Sequence, residues 1–457
     1  MLMKRNPTYF LLLAAIGLMV SCQPAATSAA PATATATAIP EADPTATPAA
    51  PTPEQPVACP ALQADALADL ETIRGELTLL RGLTPLGEVA LERIDADEFE
   101  AQRHAALDAY LEQGNLNTDL LTMVLFDVLD ETFDLEGFYR EVNTTELALE
   151  YQPQSESIVA ACDQALDPAG QFAYAYAFSL ALLDQHFDLE ESLAALDTNC
   201  MLHPEQCRAM MSLIQGDAAL LQSQWLRIYA TEDMEELAAF QAQSDNPALS
   251  QAPAFLRVNL LFPTLEGFNF VHVHYLEGGW AAVDALYASP PQSTEQILHP
   301  ERYPYDTPVQ LHLPDLAAAM GSAWSVHDPV PLGELQLRSV LDSRLPSSEA
   351  MEAAEGWGGD SFIVIEQQES GALGAASISQ WDSVADAHEF YYALRDYGTL
   401  RFGEPTRTET GLVQWASTDT VALARLVSNQ VLFLMAPDAD TLLALDASFA
   451  LPVVAQP

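Results

Sequence analysis

Apolar residues recur at helical spacing through most of the chain up to about residue 345. Four segments place them three and four positions apart, the spacing of one helix face; they lie at 61–83, 97–112, 171–183 and 204–230. Pro204 stands in the first turn of its segment, where proline is tolerated, and Thr231 is a suitable N-cap for a further helix at 232–243. This part of the chain is therefore predicted to be mainly helical.

The pattern changes after Trp357. Short runs rich in β-branched and aromatic residues predict strands at 361–366, 372–380, 411–416, 420–427 and 430–436. Helical spacing returns only at 384–396 and 441–449. The sequence predicts an α+β protein, with a predominantly helical domain at 59–345 followed by a smaller C-terminal region of sheet and helix at 346–457.

The first 21 residues have the features of a secretory signal. Lys4 and Arg5 precede an apolar run at 9–20, which is too short to span a bilayer. The run ends in Ser21-Cys22, which resembles a bacterial lipoprotein lipobox, so Cys22 is the predicted lipidation site and the new N-terminus. The alternative is an ordinary signal peptide in which this cysteine is fortuitous.

Residues 22–58 are nearly all proline, alanine and threonine. Such a composition buries no core and favours extended conformations, so the segment is predicted to be a flexible tether between a lipid anchor and the folded part. The sequence thus predicts a lipid-anchored protein at the extracytoplasmic face of a bacterial membrane.

The other four cysteines are an even number in a predicted oxidising compartment. Four cysteines allow three pairings. Cys200 with Cys207, closing a short loop, and Cys59 with Cys162, clamping the start of the folded domain, are the favoured pairs. Free buried thiols are the alternative.

Charge excludes several classes of function. The chain has 17 basic and 65 acidic residues, a formal charge of −48, and its single lysine, Lys4, lies in the predicted signal. Nucleic-acid binding is excluded because a polyanion would be repelled, and Schiff-base or P-loop chemistry because both need a lysine.

Several motifs, in order, resemble secreted bacterial and haloarchaeal proteins usually identified as HExxH zinc metallopeptidases of the gluzincin type. The resemblance covers roughly residues 70–395. The motifs are LLDQHFDL (182–189), GGW (278–280), PPQSTEQILHPERY (290–303), GE (333–334), GWGGD (356–360), WD (381–382) and DAHEF (386–390).

The resemblance implies a zinc site that this chain lacks. In the family, two histidines four residues apart on one helix and a downstream glutamate hold zinc, and a glutamate beside the first histidine is the general base. Counting from DQHFDL, these positions fall on Tyr176, Ala177 and Leu180, and the downstream ligand falls on Gln215. We call these four residues the motif positions; none of them carries an imidazole or a carboxylate, so no catalytic residue, metal or cofactor is predicted.

The motif positions are instead expected to be core. The segment around Tyr176 is almost continuously apolar, as in a helix buried on all sides. We expect Gln215 to hydrogen-bond the Tyr176 hydroxyl, which would satisfy both buried polar groups.

The segment at 290–303 has two interpretations. By the resemblance it lines a substrate cleft, in which case His299 and Tyr303 mark a retained cleft. Alternatively, Ser-Thr-Glu-Gln caps a short helix that His299-Pro300 ends.

These features predict a catalytically inactive, metallopeptidase-like lipoprotein that acts as a binding or scaffold module, with the membrane and a polypeptide as partners. One alternative is an active zinc peptidase that uses other ligands. Another is a solute-binding lipoprotein, which should show two α/β lobes.

Overall fold

The computed structural model describes residues 59–113, 116–143, 148–189, 200, 203–237 and 246–449. The predicted signal, the whole predicted tether with Cys22, and the end of the helix predicted at 232–243 lie outside these residues. Among the described residues, no helix has the length and apolar composition needed to cross a membrane.

Helices dominate the chain up to Ala354, and two further helices lie in the C-terminal region. They are α1 (Ala64–Arg81), α2 (Ala96–Gln113), α3 (Leu116–Leu125), α4 (Leu135–Val142), α5 (Pro168–Phe187), α6 (Pro204–Ile228), α7 (Pro247–Ser250), α8 (Ala254–Gly278), α9 (Trp280–Ala288), α10 (Thr294–Leu298), α11 (Leu316–Met320), α12 (Gly333–Asp342), α13 (Ser347–Ala354), α14 (Val384–Phe402) and α15 (Ala439–Ser448). Two 3₁₀ turns lie at Thr231–Asp233 and Pro300–Arg302.

The strands form two sheets. They are β1 (Ala90–Ile94), β2 (Leu149–Gln152), β3 (Ser157–Ala161), β4 (Trp324–Val326), β5 (Trp357–Gln367), β6 (Leu373–Trp381), β7 (Arg407–Glu409), β8 (Leu412–Ala416), β9 (Val421–Val427) and β10 (Gln430–Ala436). The small sheet has the order β1-β3-β2, and the large sheet is antiparallel with the order β4-β5-β6-β10-β9-β8-β7. The mixed α+β fold that the sequence predicts is confirmed.

Both faces of the large sheet are buried, which explains the nearly continuous apolar strands. Along β5, Phe362 and Val364 face a core shared with α14, whereas Ile363 and Ile365 face a core shared with α15. Successive side chains of a strand point to opposite faces, so each strand supplies both cores. The edge strand β7 is three exposed residues, Arg407–Glu409, a short and partly charged edge of the kind that discourages pairing with another chain.

The helical core is organised by a close crossing of α6 and α8. A Cβ atom on Gly216 would lie 2.1 Å from the carbonyl oxygen of Gly267, and a Cβ on Gly267 would lie 2.1 Å from that of Ser212. The two backbones therefore touch at this crossing, and only glycine fits at either position. Helix α5 packs against α6 and is buried over most of its length.

The described residues contain two disulfides, and these are the favoured pairs. Cys59 is bonded to Cys162, and Cys200 to Cys207 in the first turn of α6. Disulfides form and persist in oxidising compartments, so these bonds indicate an extracytoplasmic environment.

The second core includes residues on both sides of position 345. Phe126 of the helical part and Phe362 of β5 pack with ring centroids 5.3 Å apart, and Leu256 and Val340 belong to the same core. The division at 345 stays a prediction.

Candidate functional site

The motif positions lie in the core formed by α5 and α6. Tyr176, Ala177 and Leu180 of α5 are 7%, 2% and 3% exposed, and Gln215 of α6 is 1% exposed. Tyr176, Ala177 and Leu180 belong to one apolar cluster, and Gln215 lies on α6 among other members of that cluster. Burial also raises the pKa of the Tyr176 hydroxyl, because an ionised phenolate would lose its hydration.

The predicted hydrogen bond between Tyr176 and Gln215 is not formed. Gln215 Oε1 instead accepts a hydrogen bond from the Thr264 hydroxyl, and the Tyr176 hydroxyl has no partner among the described residues. The reason is the glycine crossing: Thr264 lies one helical turn before Gly267, next to the point where α8 touches α6 beside Gln215. Helix α8 therefore supplies the partner that we expected from α5.

A buried arginine joins two of the motifs. Arg81 donates from Nε and Nη2 to the two carboxylate oxygens of Asp217, at 3.0 and 2.9 Å, and Nη2 lies 2.7 Å from Asp284. Its guanidinium lies 4.4 Å from the ring centroid of Trp280, and Tyr287 donates to Asp217 at 3.1 Å. Asp217 follows Gln215 by two residues and Trp280 ends the GGW motif, so this ion pair holds α1, α6 and α9 together.

The segment at 290–303 forms the capped helix of the second interpretation. The Ser293 side chain accepts a hydrogen bond from the Gln296 backbone, and α10 ends at Leu298 with His299 as the C-cap. Thr294 faces inward, where its backbone N–H and its hydroxyl donate to Glu205 at 2.8 and 2.7 Å. The N-capping prediction is thus confirmed.

Glu205 is a buried carboxylate of α6. Burial raises its pKa to about 7, although Arg208, 3.0 Å away, and the hydrogen bonds from Thr294 favour the ionised form. A Cβ on Gly333 would lie 2.0 Å from the Glu205 carboxyl carbon, and Gly333 has a φ of 79°. Glycine is therefore required where α12 begins against this carboxylate.

Asp360 of the GWGGD motif supports the same helix start. It accepts hydrogen bonds from the backbone N–H groups of Leu332 and Gly333 and from Trp357 Nε1, each at 2.9 Å. Burial raises its pKa to about 6. The GE and GWGGD motifs thus meet at the N-terminus of α12.

His299 is paired inward. Its Nε2 lies 2.9 Å from Glu334 Oε1 in the first turn of α12, and Glu334 is 1% exposed. Burial alone would lower the pKa of His299, but the hydrogen bond to Glu334 raises it overall. The other Glu334 oxygen, Oε2, is buried without a hydrogen-bond partner among the described residues.

Arg302 lies among four carboxylates from separate parts of the chain. Its Nη1 donates to Glu295 Oε1 and lies 3.4 Å from Asp382 and 3.9 Å from Asp306, while Nη2 lies 3.4 Å from Glu355. We call these four carboxylates and Arg302 the Arg302 cluster. Within it, burial and then the neighbouring Glu334 raise the pKa of Glu295 to about 9.

Tyr303, the second residue of the predicted cleft, also packs inward. Its hydroxyl donates to the Ser289 carbonyl, and its ring centroid lies 5.7 Å from that of Phe270 and 5.4 Å from that of His274. A cavity of about 270 Å³ lies elsewhere, between residues 311–317 and the β4–β5 edge, and His299 and Tyr303 are not among its lining residues.

Oxygen ligands for a metal come together in the Arg302 cluster rather than at the motif positions. Carboxylate oxygens of Glu295, Asp306 and Asp382 all lie within 4.8 Å of one another, and no other such group of three occurs in the described part of the chain. No short sequence pattern predicts this cluster, because its members lie up to 87 residues apart and only the charged residues of the STEQILHPERY segment point to it.

Comparison with known proteins gives one partial match. Residues 326–446 match the model of a domain of unknown function, DUF8575. That span covers β5 to β10 and the helices packed on them, and it begins more than 100 residues after the last motif position, Gln215. No curated protein and no solved structure matches the chain.

Proposed function

We propose that this protein is a lipid-anchored, extracytoplasmic member of the metallopeptidase-like class that has no catalytic zinc and binds polypeptide without cutting it. The observation that carries the proposal is the state of the motif positions. Where the resembled family needs three zinc ligands and a general base, the chain has Tyr176, Ala177, Leu180 and Gln215, all nearly inaccessible to water.

The chemistry of these side chains supports the proposal. Zinc sites in proteins use thiolate, imidazole or carboxylate ligands, and a catalytic site keeps one position open for water. Two of the four carry a polar group: the Gln215 amide accepts a hydrogen bond from Thr264, and the Tyr176 hydroxyl is buried. Leu180 and Tyr176 add apolar volume that leaves this helix as part of the core.

The compartment supports the anchor. The two disulfides fit a protein folded outside the cytoplasm, and Cys59 begins the folded part directly after the predicted tether. Lipidation of Cys22 would place the folded part at the membrane surface. The Cys22→Ser variant should then leave the membrane fraction and lose incorporation of a labelled fatty acid; retention of both would reject the anchor.

Metal analysis combined with a peptidase assay tests the proposed loss of activity. We expect the purified full-length chain to contain well below one zinc per molecule. We also expect it to bind fluorescein-labelled casein, seen as raised anisotropy, without cleaving it. One zinc per chain with chelator-sensitive cleavage would instead establish an active peptidase, and absence of both binding and cleavage would reject the polypeptide-binding role.

Restoring the zinc ligands tests the correspondence of the motif positions. The variant Tyr176→His, Ala177→Glu, Leu180→His, Gln215→Glu should bind one zinc per chain. The same variant with Leu180 retained is the matched control, since it keeps a single histidine and should bind zinc far more weakly. If both variants fold by circular dichroism and neither binds zinc, the assigned positions are wrong.

A further inference from the structure

We propose that Glu295, Asp306 and Asp382 form a calcium-binding site that joins the helical part of the molecule to the large sheet. The site is separate from the motif positions and does not depend on the proposed loss of peptidase activity. Glu295 lies in α10, Asp306 follows the 3₁₀ turn at Pro300–Arg302, and Asp382 directly follows β6.

The spacing of the ligands suits calcium. One carboxylate oxygen from each residue lies within 4.8 Å of the other two. Calcium takes oxygen ligands at about 2.3–2.6 Å, so two ligands on opposite sides of one ion are about 5 Å apart. Asp306 and Asp382 have side chains 29% and 37% exposed, which leaves room for the water ligands that would complete the six to eight positions calcium requires.

The ligands are held in place by the backbone around them. Gln296 donates from Nε2 to the carbonyl of Asp306, and the Asp306 N–H donates to the carbonyl of Arg302 at 3.0 Å. Asp382 is fixed by its own N–H, which donates to the Gly356 carbonyl at 2.9 Å. A site whose ligands are already positioned loses less conformational entropy when the ion binds.

A second observation points to a bound cation. Glu295 is fully buried, one of its carboxylate oxygens lies within 4.8 Å of an oxygen of Asp306 and of Asp382, and its Oε2 has no hydrogen-bond partner among the described residues. A buried polar atom without a partner is costly, and native proteins satisfy such atoms with protein groups, water or ions. A calcium ion between the three carboxylates would supply the missing contact.

Arg302 alone does not balance these charges. Its guanidinium faces the four carboxylates of the Arg302 cluster and bonds closely only to Glu295 Oε1. Its Nη1 lies 3.4 Å from Asp382 and 3.9 Å from Asp306, beyond the usual range for a strong charge-assisted hydrogen bond. The two aspartates are therefore held only loosely by Arg302, and their carboxylates lie next to each other, an arrangement that a second cation would stabilise.

Equilibrium dialysis with radioactive calcium tests the site on the full-length chain, at constant ionic strength in 150 mM NaCl so that general screening does not change. We expect one saturable calcium per chain, with a Kd in the range of about 0.1–1 mM that is typical of extracellular modules. Asp382→Asn should weaken binding at least tenfold. Glu404→Gln, which removes one exposed charge outside the cluster, should leave it unchanged.

Two results would overturn the site. Equal loss of binding in Asp382→Asn and Glu404→Gln would show that calcium is attracted only by the overall negative charge. Absence of binding in the wild type, with binding gained in Arg302→Met, would show that the guanidinium already fills the position. Because Asp382 is partly exposed, its variant is expected to fold, and a calcium-dependent rise in Tm that Asp382→Asn lacks provides a second readout.

Discussion

Two regions of this molecule contain the motifs on which the family resemblance rests, and they differ in the side chains that they bury. Around the motif positions of α5 and α6, the places that the resemblance assigns to zinc ligands hold Tyr176, Leu180 and Gln215, and most of the surrounding side chains are apolar. Around α10 and α12, by contrast, Glu205, Glu295, Glu334 and Asp360 are all buried and still acidic.

The two regions are therefore held together by different forces. The α5–α6 region depends on close packing, as the contact between Gly216 and Gly267 shows. The α10–α12 region depends on partners for charge, such as His299 for Glu334 and backbone N–H groups for Asp360. Stability in the first region should therefore respond to volume, and stability in the second should respond to pH and cations.

The largest expected effect is a failure of packing at the glycine crossing. Gly216→Ala would place a methyl group 2.1 Å from the Gly267 carbonyl oxygen, which forces α6 and α8 apart. We expect a loss of about 4 kcal/mol in the free energy of unfolding, measured by urea denaturation.

Gly75→Ala is the matched control for that change. Gly75 lies inside α1, where a Cβ would meet nothing within 4 Å. Alanine should therefore stabilise this helix by up to about 1 kcal/mol. Equal effects at the two positions would mean that α6 and α8 do not touch as described.

The next largest effect is a pH dependence of stability that comes from the buried carboxylate of Glu205. The pKa of Glu205 is about 7 in the folded protein and near its ordinary 4.5 when unfolded, so the folded state binds the proton more tightly. The free energy of unfolding should therefore fall as pH rises from 4.5 to 7, by roughly 3 kcal/mol from this group, and change no further above pH 7.

Glu205→Gln removes this titration, so its free energy of unfolding should fall less over the same pH interval when both proteins are measured in urea. Asp360, whose pKa is also raised, titrates in both proteins, so that only its electrostatic coupling to Glu205 remains in the difference. The exposed Glu404→Gln variant should keep the wild-type pH dependence. Parallel curves for wild type and Glu205→Gln would contradict the burial of an ionisable Glu205.

The sequence predicts the large sheet well because its signal is local. The strand predicted at 361–366 lies inside β5, and because its side chains alternate between two cores, the four residues at 362–365 are all apolar and buried. The small sheet was missed, since β1 contains Glu92 and Arg93 and pairs in parallel with β3, more than 60 residues away. Strands of only four or five residues that include charged residues or alanine give no strand signal by themselves.

The candidate sites show the same limit. The burial of Tyr176 and Leu180 follows from the apolar letters around them, and it was predicted. The partner of Gln215 depends on which helix crosses α6, and the sequence does not encode that crossing in any short pattern. Likewise, His299 is recognisable as a helix end, but its pairing with Glu334 brings together residues 35 positions apart.

The smallest effect is expected at a buried hydroxyl of the packed region. The Tyr176 hydroxyl is buried without a hydrogen-bond partner among the described residues. The Tyr174 hydroxyl, two residues earlier in α5, accepts a hydrogen bond from Arg74 Nε. Tyr176→Phe removes an unsatisfied group and should raise the free energy of unfolding by about 1 kcal/mol. Tyr174→Phe removes a satisfied one and should lower it by about the same amount. Thermal and urea unfolding of the two variants measure these changes directly. A loss of stability in Tyr176→Phe would mean that the Tyr176 hydroxyl has a hydrogen-bond partner, and that the α5–α6 region also depends on polar contacts.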